Sequence, residues 1–341
     1  MALIIPKKSI SVESNWQKEL ATSFNQPEKL LEFLNIPINQ HTQNITARKL
    51  FPMRVPLHFA NLMAKSDPLD PLFKQVFPLY DEYFEDPEYS VDPLQEQATP
   101  QQGILHKYQS RALLMVRGGC AVNCRYCFRR HFPYQQNSLN KPGWLNALKY
   151  ISEDQQLNEV IYSGGDPLMA KDDFLAWLTQ QIEQIPHITR LRLHTRLPVV
   201  IPNRIDPHFI DWITKSKLKI IIVLHINHAN EIDITLQNKL KLLKEADVTL
   251  LNQSVLLAGV NDDTESQIAL SERLFEVGIM PYYLHMLDKV KGATHFDVDE
   301  SKARLIMAEM IKRLPGFLVP KLVREISGQP GKTPLDLHLH P

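Results

Sequence analysis

Residues 112–132 read A-L-L-M-V-R-G-G-C-A-V-N-C-R-Y-C-F-R-R-H-F: five apolar residues, an Arg-Gly-Gly break, then all three cysteines of a 341-residue chain. Residues 112–116 have the length and composition of a short buried strand, so the thiols follow directly from a strand end. Cys120, Cys124 and Cys127 stand at i, i+4 and i+7. That spacing lets three soft, charged thiolates converge on one metal or cluster. A [4Fe–4S] cube held by three ligands keeps one iron open for another ligand. The alternative is a closed zinc site completed by His131. A disulfide would leave one thiol over.

Downstream of this loop, β and α signals alternate. Strands are predicted at 159–162, 188–194, 218–226, 249–256 and 279–285, with a last one within 317–326. Helices are predicted at 142–151, 171–185, 206–214, 231–244, 264–277 and 301–313. The run L-K-I-I-I-V-L-H-I at 218–226 has no alternation, the mark of a strand buried on both faces. About six β–α units in a row predict a parallel sheet. A G-x-G-x-x-G turn would follow the first strand of a nucleotide fold, and a cysteine loop stands there instead. In a barrel, function gathers at the C-terminal ends of the strands. Cys120, Gly164-Gly165-Asp166, 194–196, 225–228, Gln253-Ser254 and Asp288 each stand at or just after the end of a predicted strand. The expected fold is α/β, a partial, TIM-like (β/α)6 barrel over 106–326. A mainly helical, proline-interrupted extension precedes it over 1–105, and a C-terminal segment follows over 327–341.

Within the extension, Ser14 is a candidate helix cap and Pro27 a first helical residue. Residues 67–100 are rich in proline and acid but carry Phe73, Phe77, Tyr80, Tyr83 and Phe84, so they read as an ordered wrap without assignable chemistry. Apolar residues at 44% and charged residues at 22% are ordinary globular values. Lys+Arg and Asp+Glu balance at 38 each, which argues against a broad nucleic-acid footprint. No apolar run is long enough for a membrane span, and M-A-L-I-I-P-K-K-S-I is too short for a signal peptide. Free cysteines without a disulfide framework predict a reducing, cytoplasmic setting.

Two further motifs carry chemistry. In Ser163-Gly164-Gly165-Asp166-Pro167, paired glycines allow close backbone approach to a ligand, and Asp166 can accept hydrogen bonds from an amine or a ribose. The plain reading is a tight strand-to-helix turn. In S-G-Q-P-G-K-T-P, Lys332 has small neighbours that would leave room for pyridoxal phosphate, a cofactor held through a lysine amine. The plain reading there is a solvated loop lysine.

Taken in order, C-A-V-N-C-R-Y-C-F-R-R-H-F, Y-S-G-G-D-P-L, H-T-R-L-P-V-V-I-P-N-R-I, H-I-N-H-A-N-E-I, N-Q-S-V-L-L-A-G-V-N-D, P-Y-Y-L-H-M-L-D and G-K-T-P resemble the lysine 2,3-aminomutases. These are radical S-adenosylmethionine enzymes, and the likeness, over roughly residues 100–341, is greatest to the shorter branch that makes β-lysine for modifying elongation factor P. The resemblance implies a [4Fe–4S] cluster on Cys120, Cys124 and Cys127, with S-adenosyl-L-methionine on the open iron. Ser163, Gly164, Gly165 and Asp166 would hold its methionine amino group, and His225 and Gln253 would lie near its adenosyl group. Lys332 would carry pyridoxal 5'-phosphate. Arg129 would grip the substrate α-carboxylate, with Arg130 beside it able to swap roles. Asp288 would pair with the lysine ε-ammonium. The family's second acid, an aspartate, falls by spacing on Glu325.

The implied reaction is a radical isomerisation of L-lysine to β-lysine by a 1,2-amino shift. An electron donor such as flavodoxin or ferredoxin and a functional link to elongation factor P and its lysyl ligase follow, with direct contact and a homo-oligomer left open. No zinc is expected, because no further cysteine follows. The nearest rival is an aminomutase of another amino acid such as glutamate, which the charge of Asp288 would repel. A zinc-stabilised binding protein without catalysis is the rival of a different class.

Overall fold

A computed structural model describes residues 15–97 and 101–339; Ser14 and the N-terminal decapeptide lie outside them. Nine strands form one sheet in sequential order. An edge strand β1 (Ile104–Tyr108) runs antiparallel to β2 (Arg111–Arg117). Then β3 (Glu159–Gly164), β4 (Arg190–Thr195), β5 (Lys219–Leu224), β6 (Thr249–Val255), β7 (Met280–His285) and β8 (Lys321–Arg324) each pair in parallel with the strand before. A two-residue β9 (Thr333–Pro334) turns back along β8. Between these lie α1 (Lys141–Glu153), α2 (Asp172–Ile182), α3 (Pro207–Lys215), α4 (Ile234–Glu245), α5 (Thr264–Glu276) and α6 (Glu300–Arg313). Six β–α units, β2α1 through β7α6, lead into β8, and the sheet is an open, partial barrel. The antiparallel edge strand β1 and a short helix at Leu197–Val200 had no clear sequence signal.

Local chemistry explains where the helices start. Asn140, Asp206, Asp233 and Asp263 each accept a hydrogen bond from the backbone N–H three residues on, at 2.8–3.0 Å, so α1, α3, α4 and α5 begin on side-chain caps. Pro142 and Pro207 sit in the first turn, where no N–H partner is needed. In β5, Ile220, Ile222, Val223 and Leu224 are all buried, as a strand sandwiched between helices and barrel interior requires.

The extension shares the barrel's core. Trp16, Leu30, Leu31, Leu34 and Phe59 are buried in one cluster with Leu175, Leu191 and Ile222. Each such side chain contributes roughly 1.5–3 kcal/mol on burial. The wrap over 67–97 is ordered, with Phe73 and Phe77 stacked at 4.5 Å, but it does carry chemistry. Its Glu82 accepts from Arg125 Nε at 2.8 Å and Nη2 at 2.5 Å, and from Arg130 at 2.7 Å, all deep in the protein. Arg125 also donates to the Phe51 carbonyl at 2.8 Å. The extension therefore clamps the cysteine loop from outside.

Candidate active site

One cavity opens at the C-terminal ends of the strands. It contains about 1790 Å³ of space free of atoms, part of it open to solvent. Cys120, Cys124, Cys127, Arg129, Ser163, Gly164, Gly165, Asp166, His225, Gln253, Asp288, Glu325 and Lys332 all line it. These residues, singled out from sequence, thus meet at one place, whereas Arg130 and His131 do not line the cavity.

The cysteine loop is built by close backbone contact. Gly165 N–H donates to the Arg117 carbonyl at 2.7 Å and Asp166 N–H to the Gly119 carbonyl at 2.9 Å, so the loops after β2 and β3 are joined main chain to main chain. Gly164 has φ +129°, and a Cβ there would collide with the Arg117 carbonyl. Arg54 donates to the Cys120 carbonyl at 2.9 Å, and Arg196 Nη1 donates to Cys124 Sγ at 2.8 Å. None of the three thiols is in a disulfide. Burial, then neighbouring Cys127, pushes the Cys120 thiol well up; burial, then Cys124, pushes Cys127 up to about 11. Crowded thiols of which Cys120 and Cys127 resist ionisation suit a shared cationic centre, which would remove that penalty. His131, the fourth ligand of the zinc alternative, instead donates Nε2–H to the Lys291 carbonyl at 3.2 Å.

Asp166 faces inward. Its carboxylate accepts from Thr195 Oγ1 and from the N–H groups of Leu168, Arg196 and Leu197 at 2.7–3.0 Å. Burial raises its pKa against the pull of these bonds. With its oxygens so engaged, Asp166 orders the loop after β4, and an amine meeting this motif would find backbone carbonyls and Ser163 first. His225 bonds Tyr126 at 2.8 Å; burial, then Arg196, lowers it to about 3, so its ring is neutral.

Two charged poles face the cavity. At one, Arg129 forms a two-pronged pair with Glu96, Nε–Oε2 at 2.5 Å and Nη2–Oε1 at 3.0 Å, and donates Nη1–H to Ser163 at 3.0 Å. At the other, Lys332 Nζ lies 2.9 Å from Glu325. Glu325 also accepts from Lys107 at 3.2 Å and Tyr108 at 3.1 Å. Burial would raise Glu325, but the Lys332 and Lys107 ammoniums outweigh it and hold the carboxyl well below its ordinary range. Asp288 behaves oppositely: burial, then the Glu325 anion, pushes it up to about 7.

Comparison with known proteins places this geometry in a family. Residues 115–269 match the model of the radical SAM superfamily. The L-lysine 2,3-aminomutase of Escherichia coli is 52% identical over 340 residues, covering 99% of both chains. That of Haemophilus influenzae is 51% identical, over 97% of this chain and 98% of the relative. The Clostridium subterminale protein of the same name is 32% identical over 94% of this chain and 78% of its own. The chain belongs to the lysine 2,3-aminomutase family of radical S-adenosylmethionine enzymes.

A radical S-adenosylmethionine family member uses a [4Fe–4S] cluster and S-adenosylmethionine, and a thiol triad lining the cavity fits both. Further buried polar atoms without partners line the same lysine 2,3-aminomutase family cavity: Gln253 Nε2, His194 Nε2, His285 Nε2 and Arg192 Nε. Such a wall fits a polar, anionic cofactor. Sequence reasoning missed Glu96, Lys107 and Tyr108. Glu96 lies 33 residues before Arg129 in the wrap, and Lys107 lies 218 before Glu325. No local spacing signals such partners; only the fold brings them together.

Proposed function

We propose that this chain converts L-lysine to β-lysine by a radical 1,2-amino shift, using pyridoxal phosphate on Lys332 beside the cluster and S-adenosylmethionine. The observation that carries the reading is the pairing of opposite poles in one cavity with the cysteine triad. A fork of donors, Arg129, lies toward one end, and two acids with a lysine, Asp288, Glu325 and Lys332, toward the other. A substrate bearing an α-carboxylate and a distant ammonium matches this charge pattern; glutamate, with a second carboxylate, does not.

When bound, the cluster with S-adenosylmethionine supplies a carbon radical that takes and returns hydrogen, and pyridoxal phosphate delocalises the unpaired electron during migration. The chain's own residues position. Arg129, oriented by its pair with Glu96, would meet the α-carboxylate through the Nη N–H groups that Glu96 does not take. Asp288, uncomfortable as a lone buried anion, gains a cation when the ε-ammonium arrives. Glu325 holds the Lys332 ammonium until that amine is engaged. With both ends fixed, the middle carbons are set against the radical source. Ser163 and the backbone of Gly164 and Gly165 would meet the methionine amino group, and His225 and Gln253 the adenosyl side. The 1–105 extension, the 106–326 barrel and the 327–341 segment would act as one unit, with the barrel carrying radical chemistry and the last segment the pyridoxal lysine.

The resemblance to the short branch supports delivery of β-lysine to elongation factor P modification in the cytoplasm, with a flavodoxin- or ferredoxin-like donor reducing the cluster. No helix among the described residues is long and apolar enough to cross a membrane. Anaerobic purification followed by iron analysis and assays with lysine and glutamate tests the proposal. Lys332→Ala is expected to lose pyridoxal absorbance and turnover while keeping its iron. Full activity in that variant, or preference for glutamate, would overturn the assignment.

A further inference from the structure

Five side chains of alternating sign run between the two poles: Arg129, Glu96, Lys107, Glu325 and Lys332. The links are Arg129 Nε–Glu96 Oε2 at 2.5 Å, Glu96 Oε1–Lys107 Nζ at 2.8 Å, Lys107 Nζ–Glu325 Oε1 at 3.2 Å and Glu325 Oε2–Lys332 Nζ at 2.9 Å. Glu325 divides its oxygens between its two neighbours, whereas Glu96 offers both to Arg129 and shares Oε1 with Lys107. The end members belong to the poles that receive substrate. Lys107 joins Glu96, at the carboxylate pole, to Glu325, at the ammonium pole.

Lys107 sits on β1, at one edge of the open sheet, whereas Glu325 follows β8 near the other edge. The main chains of β1 and β8 are not paired. The Lys107 ammonium and the Tyr108 hydroxyl cross that gap to Glu325. Without Lys107, Glu96 and Glu325 would lose their shared cation, and the edge carrying Glu325 would lose an ionic tie to the edge that orders Arg129.

We propose that Lys107, acting with Glu96, is a positioning residue that fixes the separation of the two poles and so sets the chain length of the amino acid accepted. The inference rests on lysine being the substrate. A displacement of about 1 Å at a reacting centre can cost as much as a hundredfold in rate. One methylene, the difference between lysine and ornithine, is a change of that scale. A link that holds both poles to a common ammonium converts this sensitivity into selection by length.

The test is equilibrium binding of L-lysine and L-ornithine to the cofactor-loaded protein and to Lys107→Gln, Glu96→Gln and Lys107→Arg. Lysine turnover by the unaltered protein is measured alongside. The Lys107 side chain is about a quarter exposed, so Lys107→Gln removes charge without emptying a core site. Iron content and melting temperature identify folded variants; if Lys107→Gln fails to fold, Glu96→Gln and Lys107→Arg carry the comparison. The preference for lysine over ornithine is expected to fall about fivefold or more in the two Gln variants, and to survive in Lys107→Arg, which keeps both ion pairs. Equal weakening of both amino acids marks a merely structural role and overturns the proposal. So does an unchanged preference, or an unaltered protein that does not distinguish the two. Absence of lysine turnover would instead defeat the functional reading, and that is recorded separately.

Discussion

Asp288→Asn separates the electrostatic cost of the empty site from its use. Asp288 rises from the ordinary 3.8 to about 7 because it is buried and faces the Glu325 anion. A rise of about three pH units corresponds to about 4 kcal/mol, a ceiling that the cavity's opening to solvent reduces to roughly 1–3 kcal/mol. The sign follows from proton counting. Between pH 3.8 and about 7 the folded chain binds the proton more tightly than the unfolded chain, so stability falls as pH rises through this window. The neighbouring charges hold still there. Glu325 and Glu96 are both lowered, and His194 and His285 are depressed by burial into neutrality.

Denaturant unfolding of substrate-free protein at pH 5 and pH 8 measures the effect. At pH 8 the variant is expected to be more stable by roughly 1–3 kcal/mol, and at pH 5 the gap is expected to shrink to about a third of that, vanishing below the ordinary 3.8. Added lysine should stabilise the unaltered protein at pH 8, because its ammonium neutralises Asp288, but not the variant. A variant equally stable relative to the parent at both pH values would refute the reasoning.

Three other outcomes are expected. Arg125→Met leaves Glu82 with one fewer cation in a fully buried site, and should cost about 3–5 kcal/mol in chemical denaturation. Gly165→Ala puts a Cβ 2.7 Å from the Gly119 carbonyl; it should force the loops after β2 and β3 apart, read as reduced iron uptake on anaerobic reconstitution. Cys127→Ser removes one of three soft ligands, so iron and sulfide content should fall sharply while far-ultraviolet circular dichroism is kept.

The repeating units were legible because their signals are local. The apolar run at 218–226 became β5, the 279–285 signal became β7, and the loosely bounded 317–326 became β8 at Lys321–Arg324. Caps such as Asp206 and Asp263 lie beside the helices they start. The cysteine loop and Lys332 were visible for the same reason: a few adjacent residues carry the pattern. Partners set by the fold were not visible. Glu82 and Glu96 sit in a wrap whose composition shows order but not direction, and their arginine partners lie 33 to 48 residues away. Asp166 was visible as an acid, but only the path of the chain after β4 shows that its oxygens are already occupied.

The distance in sequence between the cavity's two poles has a consequence for biosynthesis. The thiols lie at 120–127, yet Glu325 and Lys332 come near the end of the chain. At about 5–20 residues per second, synthesis places roughly 10–40 s between the last cysteine and Lys332. Through that interval the nascent chain holds its three ligands on a barrel lacking the strands that form its far wall. Oxidants and stray metal ions reach the thiols most easily then, before Lys107 has found Glu325. The cysteines leave the ribosome well before Glu325 and Lys332, and they wait for those residues to be enclosed.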